Sequence, residues 1–279
     1  MWEIVAETLL DNLKIFPFLF ATYLFLEYLE HKTSDKTTAL IRRADKAGPV
    51  IGSILGVLPQ CGFSVVAANF YAVRLISLGT LIAVFLSTSD ELLPILISYD
   101  ISLKIILLII GCKIVCGIAI GYLIDAFYHK KRMPRIETLC NTEHCHCEEY
   151  EGIWKPALYH SVKITLFILA VSLLLNIGLH YFDLSGQLAA VLRHPLLGEA
   201  AGAILGLIPN CSASVILPQM YIKDYISFSA MLSGSLVNAG VGLLVLFRVN
   251  RPMKQNLKIT ALLFFCGLLG GLCSNLIAP

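Results

Sequence analysis

A cysteine occurs in the same short motif at two places 150 residues apart. Each motif joins a proline, a carboxamide and the cysteine, and a serine follows three residues later. The members are Pro59, Gln60, Cys61 and Ser64 in the first copy and Pro209, Asn210, Cys211 and Ser214 in the second. Thiolates of Cys61 and Cys211 would bind soft metals and thiophilic species such as trivalent arsenic, whereas the oxygens suit Mn²⁺ or Ca²⁺. The alternative, a small packing residue beside a proline kink, stays open for both cysteines.

Two adjacent acids, Asp90 and Glu91, interrupt an apolar run shortly before Pro94. A charged side chain in the middle of a bilayer costs several kcal/mol, so we expect these acids to face a polar path. There one of them would bind a cation or exchange a proton. The alternative is that they lie at the outer mouth and cap a helix break at Pro94. Lys113 and Glu199 are weaker candidates, because pairing with neighbours explains them as well.

A short hydrophilic segment in the middle of the chain is rich in cysteine and histidine. Its spacing lacks the two separated ligand pairs of a structural zinc site. It is either a flexible loop that collects a thiophilic metal or a solvated linker whose ligands are incidental. The candidate ligands are Cys140, His144, Cys145, His146 and Cys147.

Composition indicates a protein that has lipid as its solvent. Of the 279 residues, 57% are hydrophobic and 14% are charged, against about 25% charged in an ordinary soluble domain. A net charge of +2 gives no indication of nucleic-acid binding. The partners we expect are membrane lipids and a small ion or metalloid substrate, and a homo-oligomer is left open. Six apolar stretches are long enough to cross a bilayer: Leu13–Leu29, Leu75–Ser98, Ile105–Phe127, Leu158–Leu179, Ser227–Val249 and Ile259–Ala278.

The chain contains an internal duplication at an offset of 150 residues. Gly52–Val65 and Gly202–Val215 share eight of fourteen residues, and Cys116-Gly117 matches Cys266-Gly267 without a gap. Low-complexity apolar sequence does not readily give a shared proline, carboxamide and cysteine within a shared glycine pattern. We infer a membrane repeat at 1–128, a linker at 129–153 and a second membrane repeat at 154–279.

Each repeat carries an apolar segment that is broken at the cysteine motif, at 48–73 and at 195–223. Each half of such a segment reaches roughly 16 Å, half of the bilayer core, so a re-entrant hairpin fits better than one crossing. With hairpins, nearly all basic residues fall on one side of the membrane, as the positive-inside rule requires. The prediction is an all-α membrane protein of two inverted repeats, each with three transmembrane helices and one hairpin, ten helices in total. Both termini lie outside and the linker is cytoplasmic.

The two motifs, Gly56–Ser64 and Gly206–Ser214, together with Ser87–Glu91, resemble those of ten-helix heavy-metal exporters. This bacterial family is described either as arsenic efflux permeases of the ArsP-like kind or as manganese transporters. The resemblance implies transport at the bacterial inner membrane and assigns substrate binding to the two cysteine motifs. Asp90 and Glu91 are also among the positions that match the family's motifs.

We therefore expect a secondary transporter, an exporter of a heavy-metal cation or arsenic-type compound held at the paired hairpin tips. No G-x-x-x-x-G-K-[ST] motif is present, so a proton gradient is the expected driving force. One alternative is a small organic or oxyanion substrate, bound by half-helix N-termini. Another is a membrane thiol oxidoreductase, which the lack of C-x-x-C disfavours. We expect neither an enzyme nor a cofactor.

Overall fold

The computed structural model describes residues 2–32, 47–58, 62–89, 91–128, 154–181, 197–209 and 211–274. Within these ranges the helices are joined by short turns, and there is no strand. The first half contains α1 (Trp2–Lys32), α2 (Gly48–Gly56), α3 (Gly62–Ala72), α4 (Leu78–Ser87), α5 (Leu92–Ser98) and α6 (Leu103–Phe127). The second contains α7 (Trp154–Tyr181), α8 (Leu197–Gly206), α9 (Cys211–Ile222), α10 (Phe228–Val237), α11 (Val241–Val249) and α12 (Met253–Ser274).

Five helical stretches of the described chain are long and apolar enough to cross a membrane. They are Leu78–Ser98, Leu103–Phe127, Trp154–Leu174, Phe228–Val249 and Met253–Ser274. Each overlaps a stretch predicted from hydropathy, so the multi-pass membrane architecture is confirmed. The remaining predicted stretch lies within α1, whose 31 residues reach about 46 Å. Two of the five are interrupted spans, because α4 and α5, like α10 and α11, are separated by a few non-helical residues.

The two interrupted spans form the centre of the protein. Their apolar windows are 76% and 94% buried, whereas those of α6, α7 and α12 are 22% to 33% buried. A helix that is apolar all round and yet mostly covered belongs to the interior of a bundle, and one with an exposed apolar side suits contact with lipid. α6 packs on α2 and α4, and α12 packs on α8 and α10. The interrupted spans therefore lie inside a ring of more exposed helices.

The two halves of the chain repeat the same close helix contacts. A methyl group added to Gly121 would lie 2.9 Å from the carbonyl oxygen of Gly79, and one added to Gly271 would lie 2.9 Å from that of Ser229. The corresponding pairs between α2 and α4, and between α8 and α10, follow the same offset of 150 residues. They are Gly52 with Thr80, Gly56 with Val84, Gly202 with Ala230 and Gly206 with Gly234. Glycine lets these helix backbones approach closely, as is usual in membrane bundles.

The turns that lead into the interrupted spans are also alike. Arg74 and Asp224 both adopt left-handed backbone conformations, with φ of 62° and 55°. Three residues later, Ser77 and Ser227 cap α4 and α10, because each hydroxyl accepts a hydrogen bond from the backbone N–H three residues ahead. The duplication in sequence is thus accompanied by a duplication of local structure.

Each half of the chain packs one of its helices against the other half. α3 packs on α11, and its counterpart α9 packs on α5. α1 packs on α7, where the ring of Tyr23 stacks on His160 with centroids 5.4 Å apart. The Tyr23 hydroxyl donates to the Asn69 amide oxygen at 2.7 Å, which joins this pair to α3. Neither half is packed by itself, and the helix that follows each cysteine motif lies against the other half.

Candidate functional site

The interruptions of the two central spans line one small cavity. Thr88 and Ser89 lie between α4 and α5, and Asn238 lies between α10 and α11. The remaining lining residues are Leu92, Lys113, Ser214, Leu217 and Ser235. The cavity has a volume of about 10 Å³, which admits one water molecule or one small ion. In a membrane bundle, non-helical backbone is found where it is buried in protein or lines a cavity.

Lys113 is the charged residue of the cavity and is fully buried, with 0% of its surface exposed. It lies in α6, roughly 15 Å from the first residue of that helix and roughly 21 Å from the last. Its Nζ donates a hydrogen bond of 2.7 Å to the carbonyl oxygen of Ser235, in the last turn of α10. Carbonyls in the last turn of a helix have no intrahelical partner, and here the interruption after Val237 provides such a carbonyl. The contact joins the first half of the chain to the second.

Three of the hydroxyls around the cavity donate their protons to nearby backbone carbonyls. Thr88 Oγ1 donates to the carbonyl of Val84 at 2.8 Å, Ser89 Oγ to that of Ser87 at 3.1 Å, and Ser235 Oγ to that of Leu232 at 3.0 Å. A hydroxyl has one proton and two lone pairs, so these oxygens are left as acceptors. A cavity lined by acceptors stabilises a positive charge.

Asn238 holds the second interruption in place. Its amide nitrogen donates to Ser214 Oγ at 2.5 Å, and its amide oxygen accepts from the backbone N–H of Gly240 at 2.9 Å. Gly240 has a φ of 54°, a conformation that glycine adopts without strain. The Asn238 side chain therefore fixes the turn and links it to α9.

Both motif serines lie beside the interruptions. Ser64 is 1% exposed in α3, and a methyl group on Gly242, the second residue of α11, would lie 2.6 Å from its Cβ. Ser214 is 5% exposed in α9 and lines the cavity. The first turns of α3 and α9 therefore reach the place where the central spans are interrupted.

The other predicted motif residues are described only in part. Pro209 is half-buried, and Cys211 is the first residue of α9, three residues before Ser214. The rest of the two motifs (Pro59, Gln60, Cys61 and Asn210) and the linker candidates (Cys140, His144, Cys145, His146 and Cys147) lie outside the described residues.

The structure describes one of the two predicted acids, Glu91, and the weaker candidate Glu199. Glu91 is a half-buried residue directly before α5, and its side chain makes no capping hydrogen bond. Asp90 lies outside the described residues. Glu199 is 3% exposed, and its Oε1 accepts a hydrogen bond of 2.7 Å from Ser229 Oγ at the start of α10. Pairing with a neighbour therefore accounts for one carboxylate oxygen of Glu199.

Within the described ranges, no group of three or more histidine, cysteine, aspartate or glutamate side chains could hold a metal ion. Cys112, Cys116, Cys266 and Cys273 are free thiols on α6 and α12. Any ion in the cavity would therefore meet hydroxyl, amide and carbonyl oxygens and the Lys113 nitrogen. Oxygen ligands of this kind suit Mn²⁺-like cations.

Sequence reasoning ranked Lys113 below the motif residues and did not name Thr88, Ser89 or Ser235 as site residues, although all four line the cavity. The signal that could have identified Lys113 is its place in the middle of an apolar span, since the other charged residues of α6, Lys104 and Asp125, lie near its ends. Thr88 and Ser89 lie in the Ser87–Glu91 motif, whereas Ser235 carries no signal, because serine is common in membrane helices.

One comparison with known proteins identifies a relative. Residues 1–188 match the model of the ArsP_2 family, whose description is "Putative, 10TM heavy-metal exporter". No curated protein and no solved structure matches the chain. The match covers about two thirds of the 279 residues and agrees with the multi-span helical structure. The chain therefore belongs to the ArsP_2 family of heavy-metal exporters, which are membrane transporters.

Proposed function

We propose that the protein is a secondary transporter that exports a heavy-metal cation or arsenic-type compound across a bacterial inner membrane. The substrate is held where the two cysteine motifs approach the interruptions of the central spans. Its ligands there are the thiols of Cys61 and Cys211, the amides of Gln60 and Asn210, and the oxygens of the cavity. Proteins of this architecture bind their substrates near the bilayer midplane at the interface of two repeats.

The observation that carries the proposal is the shared cavity. Thr88 and Ser89 come from the first half and Ser214 and Asn238 from the second, so both repeats contribute to it. Ser214 lies one helical turn from Cys211, about 4.5 Å along the axis of α9. A substrate bound at the motif thiol would thus be within reach of the cavity oxygens.

The proposed topology has two inverted repeats with re-entrant hairpins at 48–73 and 195–223. The interrupted helix pairs α2–α3 and α8–α9 support it, since each helix has about the length of half a membrane crossing. The distribution of basic residues also supports it. In this topology the cytoplasmic side holds the central linker together with Arg248, Arg251 and Lys254. Both termini are outside.

In this proposal Asp90 and Glu91 couple export to the proton gradient. They directly follow Thr88 and Ser89 along the chain, so they stand next to the cavity lining in sequence. A carboxylate here would attract a cation into the path and would exchange a proton as the cation leaves. The Cys/His linker would collect a thiophilic metal on the cytoplasmic side before export.

The test is a growth and accumulation panel in bacterial cells that lack their own exporters. Cells with and without the protein are challenged with Mn²⁺, Zn²⁺, Cd²⁺ and arsenite, and cellular metal is measured by mass spectrometry. We expect the protein to lower accumulation of at least one of these. The double variant Cys61→Ser/Cys211→Ser should lose the effect, while the control Cys112→Ser/Cys273→Ser should keep it. Unchanged accumulation of all four would contradict the proposal. An active double variant would show that the substrate does not bind at the thiols.

A further inference from the structure

The two junctions at which one half of the chain packs on the other are not equally closed. One is formed by α3 and α11, and its repeat counterpart is formed by α9 and α5. Val65 and Tyr71 of α3 are 0% and 7% exposed. Their counterparts in α9 at the offset of 150 residues, Val215 and Tyr221, are half-buried. Identical side chains at matching positions differ in exposure, so the α3–α11 junction is packed more tightly than the α9–α5 junction.

The partner helices of these junctions differ in the same way. Val245 of α11 is fully buried, whereas its counterpart in α5, Ile95, is half-buried. Leu244 is 8% exposed, whereas its counterpart Pro94 is exposed. α11 packs on α3, α7 and α12, while α5 packs chiefly on α9 among the described helices. An element with few buried apolar contacts moves at low cost, so α5 belongs to the looser junction.

A glycine allows the α3–α11 junction to close. A methyl group on Gly242 of α11 would lie 2.6 Å from Ser64 Cβ, so the backbones of the two helices are in direct contact at this point. The repeat counterparts of this pair are Leu92 and Ser214, and both line the cavity. The cavity thus adjoins the α9–α5 junction, and the matching place at the α3–α11 junction is occupied by the contact between the helices.

A hydrogen bond fastens the end of the closed junction. Gln255, in the first turn of α12, donates from its amide nitrogen to the hydroxyl oxygen of Tyr71, the last residue but one of α3. The counterparts of this pair are Ile105 and Tyr221, and isoleucine has no group that could form the bond. The sequence therefore provides this fastening at one junction and omits it at the other.

The turn that carries Gln255 is itself held by two hydrogen bonds. Asn250 Nδ2 donates to Asn256 Oδ1 at 2.5 Å, and Asn256 Nδ2 donates to the Asn250 carbonyl at 2.8 Å. Asn256 is fully buried. The counterparts are Asp100 and Ile106, which cannot form the same pair of bonds. The start of α12 is thus fixed to the end of α11, and a bond from Gln255 to α3 ties all three helices together.

We propose that the α3–α11 junction is the cytoplasmic gate of the transport path, closed in this structure, and that the α9–α5 junction is the outer gate. The inference rests on the proposed function and its topology. Arg74 follows α3 closely and Arg248 lies in the last turn of α11, and basic residues mark the cytoplasmic side. The structure is then the state that releases an exported substrate outward.

Loading of the next substrate requires the opposite arrangement. The Tyr71–Gln255 hydrogen bond breaks and α3 moves away from α11, which opens a path from the cytoplasm to the cavity. At the other junction α9 closes on α5, where the Leu92 side chain fills the gap. Transporters with inverted repeats alternate access by moving one repeat against the other.

Access of water to the two junctions tests the assignment. Val65→Cys and Val215→Cys are the same conservative change at matching places of the full-length protein. A small charged methanethiosulfonate is applied to right-side-out and inside-out membrane vesicles, and peptide mass spectrometry identifies the modified residue, so that native cysteines do not interfere. A minor conformation is populated to about 10% or less, so Val215→Cys should react from outside about tenfold faster than Val65→Cys does from the cytoplasmic side. Equal rates, or a faster reaction of Val65→Cys, would overturn the inference.

Variants of the hydrogen bond test its role in the gate. Tyr71→Phe keeps the ring and removes the hydroxyl, so Val65→Cys in this background should react about fivefold faster from the cytoplasmic side, the effect of losing one hydrogen bond. Gln255→Leu removes the donor instead and should act in the same way, which keeps the test valid if Tyr71→Phe fails to fold. The matched control is Tyr221→Phe, which should leave the rate unchanged. An unchanged rate in both Tyr71→Phe and Gln255→Leu would contradict the role of this bond.

The two proposals fail separately, because labelling reports the gates whether or not a metal is transported. If the protein transports a metal in proteoliposomes but Val65→Cys reacts faster than Val215→Cys, the exporter stands and the gate assignment is wrong. If the labelling is as expected but no metal of the panel is transported, the gates are right and metal export is wrong.

Discussion

The Nζ of Lys113 lies 2.7 Å from the carbonyl oxygen of Ser235, although 122 residues separate the two along the chain. The contact joins α6 of the first repeat to the last turn of α10 in the second, directly before the chain is interrupted at Asn238. The Lys113 side chain of one half thus contacts the backbone of the other half next to the place where its helix is interrupted.

The close contact between α3 and α11 should be intolerant of added volume. In Gly242→Ala the new methyl would lie 2.6 Å from Ser64 Cβ and 2.7 Å from the Ser64 backbone, so a helix must shift. We expect destabilisation of about 1–3 kcal/mol and loss of transport. The measurement is thermal unfolding in detergent.

Gly111→Ala is the matched control, because no atom lies within 4 Å of the added methyl. Alanine is the better helix former, so this variant should be neutral or more stable by about 0.5–1 kcal/mol. Equal melting temperatures for the two variants would contradict the packing described for α3 and α11.

The Asn238 side chain should be required for the geometry of the second interruption. Asn238→Ala removes the hydrogen bonds to Ser214 and to the N–H of Gly240, which leaves buried polar groups unsatisfied. A cost of about 1–3 kcal/mol follows, with a larger loss of transport because the cavity changes shape. Thermal unfolding and transport are measured together. Ser98→Ala, which removes an exposed hydroxyl, should change neither, and wild-type transport by Asn238→Ala would remove Asn238 from the site.

Asp125 should stabilise the start of α4. Its carboxylate accepts from Ser77 Oγ at 2.5 Å and from the N–H of Gly79 at 2.9 Å, where the positive end of the helix dipole lies. Asp125→Ala should lower stability by about 0.5–2 kcal/mol, and Asp125→Asn by less, since the amide keeps one acceptor. Chemical or thermal unfolding distinguishes the two. Melting temperatures of both variants equal to that of the unmodified protein would show that the carboxylate oxygens do not stabilise the start of α4.

The proposed topology makes a prediction about the linker. The thiols of Cys140, Cys145 and Cys147 should react with a membrane-impermeant maleimide in inside-out vesicles and stay unlabelled in intact cells. A control with these three cysteines replaced by serine corrects for other thiols. Labelling in intact cells would place the linker outside and reverse the proposed orientation.

The sequence predicted the spans and the duplication because both depend on local signals. Apolar length gives the transmembrane helices, and the motif at Pro59 and Pro209 gives the ends of α2 and α8. The offset of 150 residues also pairs Arg74 with Asp224, whose backbones have the same left-handed conformation. Local pattern and repeat period are sufficient for these features.

The cavity could not be predicted in the same way. Lys113 pairs with Leu263 at the repeat offset, so the duplication gives no reason to place it in a site. Its contact with Ser235 and the packing of α3 on α11 depend on how the two halves interlock, which neither half encodes alone. The first interruption lies before α5, and Pro94 does not break that helix. The proline is the third residue of that helix, within the first turn, where no intrahelical donor is lost.

The most direct test of transport is metal flux into proteoliposomes that contain only the purified protein. A metal-sensitive dye inside the vesicles reports the entry of Mn²⁺, Zn²⁺ or Cd²⁺, with and without an imposed pH gradient. The proposed exporter predicts entry of at least one metal, faster when the proton gradient runs outward, and loss of that entry in Cys61→Ser/Cys211→Ser. Protein-containing vesicles that admit no metal faster than empty ones, under either gradient, would contradict it.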